Sequence, residues 1–311
     1  MSGDESTQDT QPLPPGLYLV ATPIGNLGDI TLRALDVLRR AHRIACEDTR
    51  QTQKLLNHFS IATPTVSCHQ HNEISRAPQL IQDIQAGQAI ALVSDAGTPG
   101  ISDPGAWLVP AVLAAGLPVV PIPGANAALS ALSASGLSTA DFRFLGFLPE
   151  KSGPRRTFLE DLAADFAARP RSTPQTLIFY EAPHRIAGTL ADIEHIFGAL
   201  PHAVVVAREL TKLHEEFLRG TAAEIGHALA QRDRIRGEFT LLLELQPGSP
   251  GPADVTHKAS SKPETISARI ARLQAEEHLD EKEALKRLAR ASGQSKSELY
   301  RELQRERARR K

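Results

Sequence analysis

Six short apolar runs punctuate this chain, and segments of helical spacing lie between them. That alternation leaves few architectures open. The runs are Leu17–Ala21 (LYLVA), Ile90–Val93 (IALV), Val119–Ile122 (VVPI), Leu177–Tyr180 (LIFY), Val204–Ala207 (VVVA) and Phe239–Leu243 (FTLLL). Each is strand-sized and rich in β-branched or aliphatic residues. Between them, Thr31–His42 spaces Leu32, Leu35 and Leu38 by three, and Leu80–Ala86 stops at Gly87. Pro104–Ala115 carries proline in its first turn, Ser102 or Asp103 before it as a cap, and Gly116 after it. Thr221 and Glu224 have capping-box spacing and open a helix to Ala230. Strand and helix in alternation predict an α/β fold with largely parallel sheets.

At 311 residues the chain has room for two such domains. Residues 1–15, polar and proline-containing, read as a disordered leader. Residues 16–140 and 141–246 read as two α/β domains, and the Pro/Gly/Ser-rich stretch 247–263 as a linker. Residues 264–311 hold three helical patterns: Glu264–Glu277, one opened by Asp280 with Glu283 and ending near Gly293, and one opened by Ser295 with Glu298. The last two fit either a helix-turn-helix-like module or a plain helical hairpin.

The overall charge of −1 hides an asymmetry: from Lys262 onward 14 Lys and Arg face 9 Asp and Glu, while the preceding residues carry a net −6. The final stretch RERARRK holds five basic residues in seven, which suits a nucleic-acid backbone or a solvated tail. Residues 104–140 have no charged side chain, but Pro110, Pro118, Pro121, Pro123 and four glycines cut them into pieces too short to cross a bilayer, so they read as buried core and no membrane is expected. Cys46 and Cys68 form no CxxC pair and predict reduced thiols in a cytoplasm. His69 and His71 lack a third ligand at suitable spacing, so no metal is expected; a loop contacting RNA, or a solvated one, is the reading of that segment.

Chemistry is expected in the loops that follow the strands. Ser94–Gly105 (SDAGTPGISDPG) lies between a strand and a helix, where open α/β sheets bind ligands. Gly97, Gly100 and Gly105 permit close backbone approach, and Asp95, Thr98, Ser102 and Asp103 offer hydrogen bonds. The loop matches neither the phosphate loop nor the dinucleotide fingerprint. Thr22–Gly28 (TPIGNLG), Pro123–Asn126 (PGAN) and Glu181–Arg185 (EAPHR) occupy the same kind of position, and the four loops together predict one small-molecule cleft.

The segments ATPIGNLGDITLRAL, ACEDTR, SDAGTPGISDPGA, FYEAPHR and ARELTKLHEE, in this order, resemble the small-subunit ribosomal-RNA methyltransferases of the tetrapyrrole-methylase superfamily. The resemblance covers about residues 16–246 and extends to the C-terminal helices. It implies two α/β/α domains of the class III methyltransferase type, usually in a homodimer. It also implies S-adenosylmethionine held in the cleft between them, and transfer of methyl to the 2′-oxygen of a cytidine in 16S rRNA within the small ribosomal subunit. Carried over by position, Pro23 borders the cleft, and Asp95, Ala96, Gly97, Thr98, Pro99, Gly100 and Ser102 lie along the methionine part. Gly124, Ala125, Tyr180, Arg208, Glu209, Leu210, Glu238 and Phe239 surround ribose and adenine. One departure stands out: the family continues Pro-Gly with another proline, whereas Ala125 and Asn126 follow Gly124 here, and Ala125 restores an N–H.

Methyl transfer from a sulfonium asks mainly for alignment, which supplies about 7–11 kcal/mol, against roughly 10²–10⁴-fold from a general base. Candidate proton acceptors are Asp95, Asp103, Glu47, Asp48 and Glu181, each also able to serve as a helix cap or ion-pair partner. Asp95 is favoured, because Asp103 before Pro104 suits an N-cap and Asp95 has less structural employment. Arg50, Lys54, Lys151, Arg155 and Arg156 are the basic residues placed to meet phosphates. The alternatives are a methylase acting on a tetrapyrrole intermediate and a noncatalytic RNA-binding ribosome-assembly factor. Intact Gly and Asp residues in SDAGTPGISDPG disfavour the latter.

Overall fold

Parallel strands buried on both faces must be apolar at every position, a rule that the inner GLYLV and AIALV obey among the first five strands, all of which pair in one sheet. The five are β1 (Gly16–Val20), β2 (Arg43–Cys46), β3 (Thr65–Ser67), β4 (Ala89–Val93) and β5 (Val119–Ile122), in the order β3-β2-β4-β1-β5, each pair parallel. The chain is described by a computed structural model over residues 12–69, 72–103, 105–168, 173–198 and 202–247, with 280, 283–285, 288 and 303. Ala89, Ala91 and Val93 of β4 face a core shared with α1 (Leu32–Arg40) and Leu56 of α2 (Thr49–His58). Ile90 and Leu92 face the opposite core, with α3 (Glu73–Gln85) and α4 (Leu108–Ala114). Of the three leucines at triple spacing in α1, Leu35 and Leu38 are buried, whereas Leu32 stands in solvent and Ala34 and Val37 complete the buried stripe.

The helix expected from Pro104 begins only at Leu108, and neither Ser102 nor Asp103 caps it. The cap comes from α3: the buried Glu73 carboxylate accepts backbone N–H groups of Gly105, Trp107 and Leu108 at 3.0, 3.1 and 2.7 Å. The charge-free stretch is likewise only partly core. Leu108, Val112, Ile122, Ala131 and Leu132 are buried, while Trp107, Leu113 and Leu129 are exposed.

A second sheet follows: β6 (Phe142–Phe147), β7 (Gln175–Glu181), β8 (His202–Arg208), β9 (Glu216–Gly220) and β10 (Phe239–Leu245), in the order β6-β7-β10-β8-β9. Only β6 and β7 pair in parallel; β10 runs antiparallel to both β7 and β8, and β9 antiparallel to β8. The largely parallel expectation therefore holds for the first sheet and fails for the second, because the runs at 204–207 and 239–243 are joined through β9 and a helix that returns the chain in the opposite sense. One face packs on α6 (Ser152–Ala168), α7 (Ile186–Phe197) and α8 (Ala222–Ala230), whose capping box is formed as expected. The other face takes α5 (Ala127–Ser135), the helix that leaves the first sheet, together with Ile24 and Leu210.

Residues 1–253 form one unit and 254–311 a second. In the second, the N–H of Glu283 donates to Asp280 Oδ1 at 2.7 Å, the expected cap, and Ala284, Leu285, Leu288 and Leu303 are buried. The disordered leader expected over 1–15 is too long at its end, since Leu13 is buried in the first core and the Pro14 carbonyl accepts the Tyr18 hydroxyl at 2.9 Å; residues 1–11, the linker beyond Pro247, the other C-terminal helical patterns and RERARRK lie outside the described residues.

Candidate functional site

From β1 the chain leaves toward β2 on one side, and from neighbouring β4 toward β5 on the other. The loops after these adjacent strands diverge and open a crevice beyond the strands' carboxyl ends. Thr22 and Gly97 seal its floor, with reciprocal backbone hydrogen bonds of 2.8 and 3.1 Å, and the Thr22 hydroxyl donates to the Ser94 carbonyl. The Thr98 hydroxyl donates to the Ala125 carbonyl at 3.2 Å, joining the third loop to the second. All four loops named above contribute to one cavity of about 380 Å³, within the range of small-molecule sites.

Eleven sequence-selected residues line that cavity: Asp95, Ala96, Gly97, Thr98, Ser102, Asp103, Tyr180, Glu181, Leu210, Glu238 and Phe239. The others do different work. Pro23 lines an adjoining cavity. Gly124 lets β1 come close, since a Cβ there would sit 2.9 Å from Ala21 Cβ. Gly97, Gly100 and Gly105 have φ of +82°, +81° and +129°, so their backbone conformation requires glycine; Gly100 and Gly105 lie outside the wall. Pro99 and Ala125 are also outside it. Arg208 donates to the Arg236 carbonyl and pairs with Glu216, and Glu209 receives the N–H of Glu238 and the Lys212 ammonium, so both brace the rim.

Sequence reasoning passed over Ile24, Ile101, Ala127, Phe147, Ala182, Pro183 and Thr240, and noted Asn126 only as a departure from the family pattern. Ile24, Ala182 and Pro183 lie inside the quoted loops and were within reach of it. Phe147 comes from β6, an edge strand with no clear alternation. Asn126 of the departing PGAN segment caps α5, its side chain accepting the N–H of Leu129 at 3.1 Å.

The five proton-acceptor candidates separate by environment. Glu181 is buried and fully engaged: it pairs with Arg185 at 2.9 Å and accepts the Thr189 hydroxyl and its neighbour Ala182 N–H. Asp95, expected to have little structural employment, accepts the N–H of Asp48 at 3.1 Å. Asp103, released from the capping role, is pushed up to about 6, first by burial and then by the Glu47 carboxylate, with Asp95 adding to it and a Ser94 hydrogen bond opposing. Glu47 lies outside the cavity wall and is also raised, by burial and then by Asp95. Asp48 caps α2 and pairs with Arg50.

Arg155 is buried against Asp192 at 2.7 Å, and Arg156 shares that carboxylate, so Arg155 is removed from phosphate reach. Burial would raise Asp192, but hydrogen bonds from Arg156 and Arg155 hold it below the usual carboxylate range. Among the described residues no three His, Cys, Asp or Glu side chains stand together as a metal site, and His71 lies outside them.

A five-stranded parallel sheet with a switch-point crevice, followed by a mixed sheet facing the same cavity, is matched over residues 16–226 by the family model of the tetrapyrrole (corrin/porphyrin) methylases, and the chain belongs to that family. Solved structures agree in fold. Uroporphyrin III C-methyl transferase from Thermus thermophilus covers 73% of this chain and 96% of its own, with a TM-score of 0.50 at 17% identity. Diphthine synthase covers 74% and 89%, with 0.55 at 13%. More particularly, the chain is similar to proteins named ribosomal RNA small subunit methyltransferase I. That of Halalkalibacterium halodurans is 48% identical over 284 residues, 91% of this chain and 93% of that one. That of Xylella fastidiosa is 44% identical over 288 residues, 92% and 98%.

Proposed function

We propose that this chain transfers a methyl group from S-adenosylmethionine to the ribose 2′-oxygen of a cytidine in 16S rRNA, within the small ribosomal subunit. The observation that carries the reading is the 48% identity to a small-subunit rRNA methyltransferase along nearly the whole of both chains. The cavity suits the donor. Ile24, Leu210 and Phe239 provide apolar wall for an adenine, Ala96 and Gly97 leave room, and the crowded carboxylates of Asp95 and Asp103 are relieved by a cation such as a sulfonium or an α-ammonium.

When bound, S-adenosylmethionine supplies an electrophilic methyl group. The loops after β1, β4 and β5, tied together through Thr22, Gly97, Thr98 and Ala125, hold the reacting atoms in line, and this alignment is the larger share of catalysis. Asp103 accepts the hydroxyl proton as the ribose oxygen bonds to carbon, since its affinity for a proton places it near neutrality. Asp95, held by the Asp48 N–H, orients.

Several finer features belong to the same proposal: residues 16–140 and 141–246 as the two catalytic domains, 264–311 as an RNA-binding module, a homodimer, and a cytoplasmic setting with no metal. Exposed Trp107, Leu113 and Leu129 on the charge-free stretch support self-association. No helix among the described residues is long and apolar enough to cross a membrane. Labelled methyl transfer to isolated 30S subunits tests the reaction, and light scattering of the purified protein tests the dimer.

A further inference from the structure

A second cavity of about 490 Å³ adjoins the first and shares Ile24, Asp95, Ala96 and Glu238 with it. Its remaining wall is polar where α2 contributes Gln51, Thr52 and Lys54. Lys54 also borders an open groove on the outer face of α2, with Arg50, Gln53 and Asn57, so one ammonium stands where a cavity meets a surface channel.

The cations nearby differ in what holds them. Arg50 closes on Asp48 at 3.1 Å, and Lys212 on Glu209 and Glu238 at 3.0 and 3.1 Å. Lys54 is exposed and donates at 2.9 Å to the neutral amide oxygen of Gln51, leaving its charge available to an anion. Inside the cavity, Asp95 and Glu238 repel a phosphate yet accept hydrogen bonds from hydroxyl or amino groups. This partition fits one chemistry: a nucleoside enters while its phosphates stay outside.

We infer that the second cavity receives the acceptor nucleoside, its ribose meeting the donor across the shared Asp95–Ala96 wall, and that Lys54 positions it by holding an adjacent RNA phosphate at the cavity mouth. The inference rests on the rRNA methyltransferase reading above. A phosphate on Lys54 keeps the Gln51 contact, because an ammonium has three donors, and the polar groove along α2 carries the strand onward.

The test uses the full-length protein as wild type, Lys54→Gln and Lys54→Arg, with 30S subunits and tritiated S-adenosylmethionine. Lys54→Gln should raise KM for subunits about tenfold with kcat changed far less, in line with loss of a charged hydrogen bond. The dependence of log(kcat/KM) on log[salt] should become shallower by about 0.7, the value for one phosphate on a single strand. Lys54→Arg should restore both, and cofactor affinity by calorimetry should be the same in all three. An unchanged KM and salt slope in Lys54→Gln, with wild type active, would overturn the phosphate contact alone. Wild type that labels no subunits would overturn the functional reading and this inference with it.

Discussion

Asp103 keeps its proton up to about 6 because it is buried and faces the Glu47 and Asp95 carboxylates. As a base it must be ionised, so kcat should fall as pH drops below about 6, and Asp103→Asn should lose that limb along with at least about tenfold to a hundredfold of turnover at saturating cofactor. The same residue acts on stability with the opposite sign. The folded state binds the proton more tightly than the unfolded chain, so stability declines as pH rises from the ordinary carboxylate range to about 6, and above that the ionised group is a standing cost. Asp103→Asn should therefore raise the melting temperature at pH 7 while it lowers turnover; a loss of both would mark Asp103 as structural. The sequence showed that carboxylates crowd these loops but not which is free. Capping of α4 by Glu73, 32 residues before Gly105, and the hold of Asp48 N–H on Asp95 are contacts between distant segments with no local signature.

At the scale of elements, long uniform strands were plain in the sequence and short or edge ones were not. All six apolar runs are strands, while β2, β3, β6 and β9 passed unseen: RIAC and TVS are too short for a period to register, and EFLRG carries charges because it is an edge. The start of α4 was misplaced for the same reason as its cap. Glu73→Ala would leave three N–H groups without their acceptor, two of them buried, and should destabilise by about 1–3 kcal/mol in urea unfolding. The loop glycines give a finer contrast. Both Gly97→Ala and Gly100→Ala force a side chain into left-handed backbone, costing about 1–2 kcal/mol. Only at Gly97 does the new Cβ touch the cavity wall, 3.4 Å from Ile24 Cγ2. Calorimetry should find S-adenosylmethionine binding weakened several-fold in Gly97→Ala and within about twofold of wild type in Gly100→Ala.

For the whole molecule, strand and helix alternation predicted the class and the four loops predicted the cleft, but not the mixed second sheet, since strand direction depends on where β9 and α8 return the chain. Nor could periodicity show that α5 leaves the first sheet to pack on the second, the contact that places Asn126 and Ala127 in the same wall as Tyr180 and Phe239. The basic C-terminal segment belongs to a separate unit from the cavity. Deleting residues 254–311 should leave calorimetric affinity for S-adenosylmethionine unchanged and weaken 30S binding more at low salt than at high, because fewer phosphates are neutralised and the salt dependence becomes shallower; equal binding at physiological salt would assign the segment another purpose. The central claim is the reaction itself. Purified protein should be incubated with 30S subunits from a strain lacking the corresponding enzyme and with methyl-labelled S-adenosylmethionine, and the rRNA then digested to nucleosides. The account predicts label in 2′-O-methylcytidine at a single site; label on a base or on protein, or none while a tetrapyrrole is methylated instead, would contradict it.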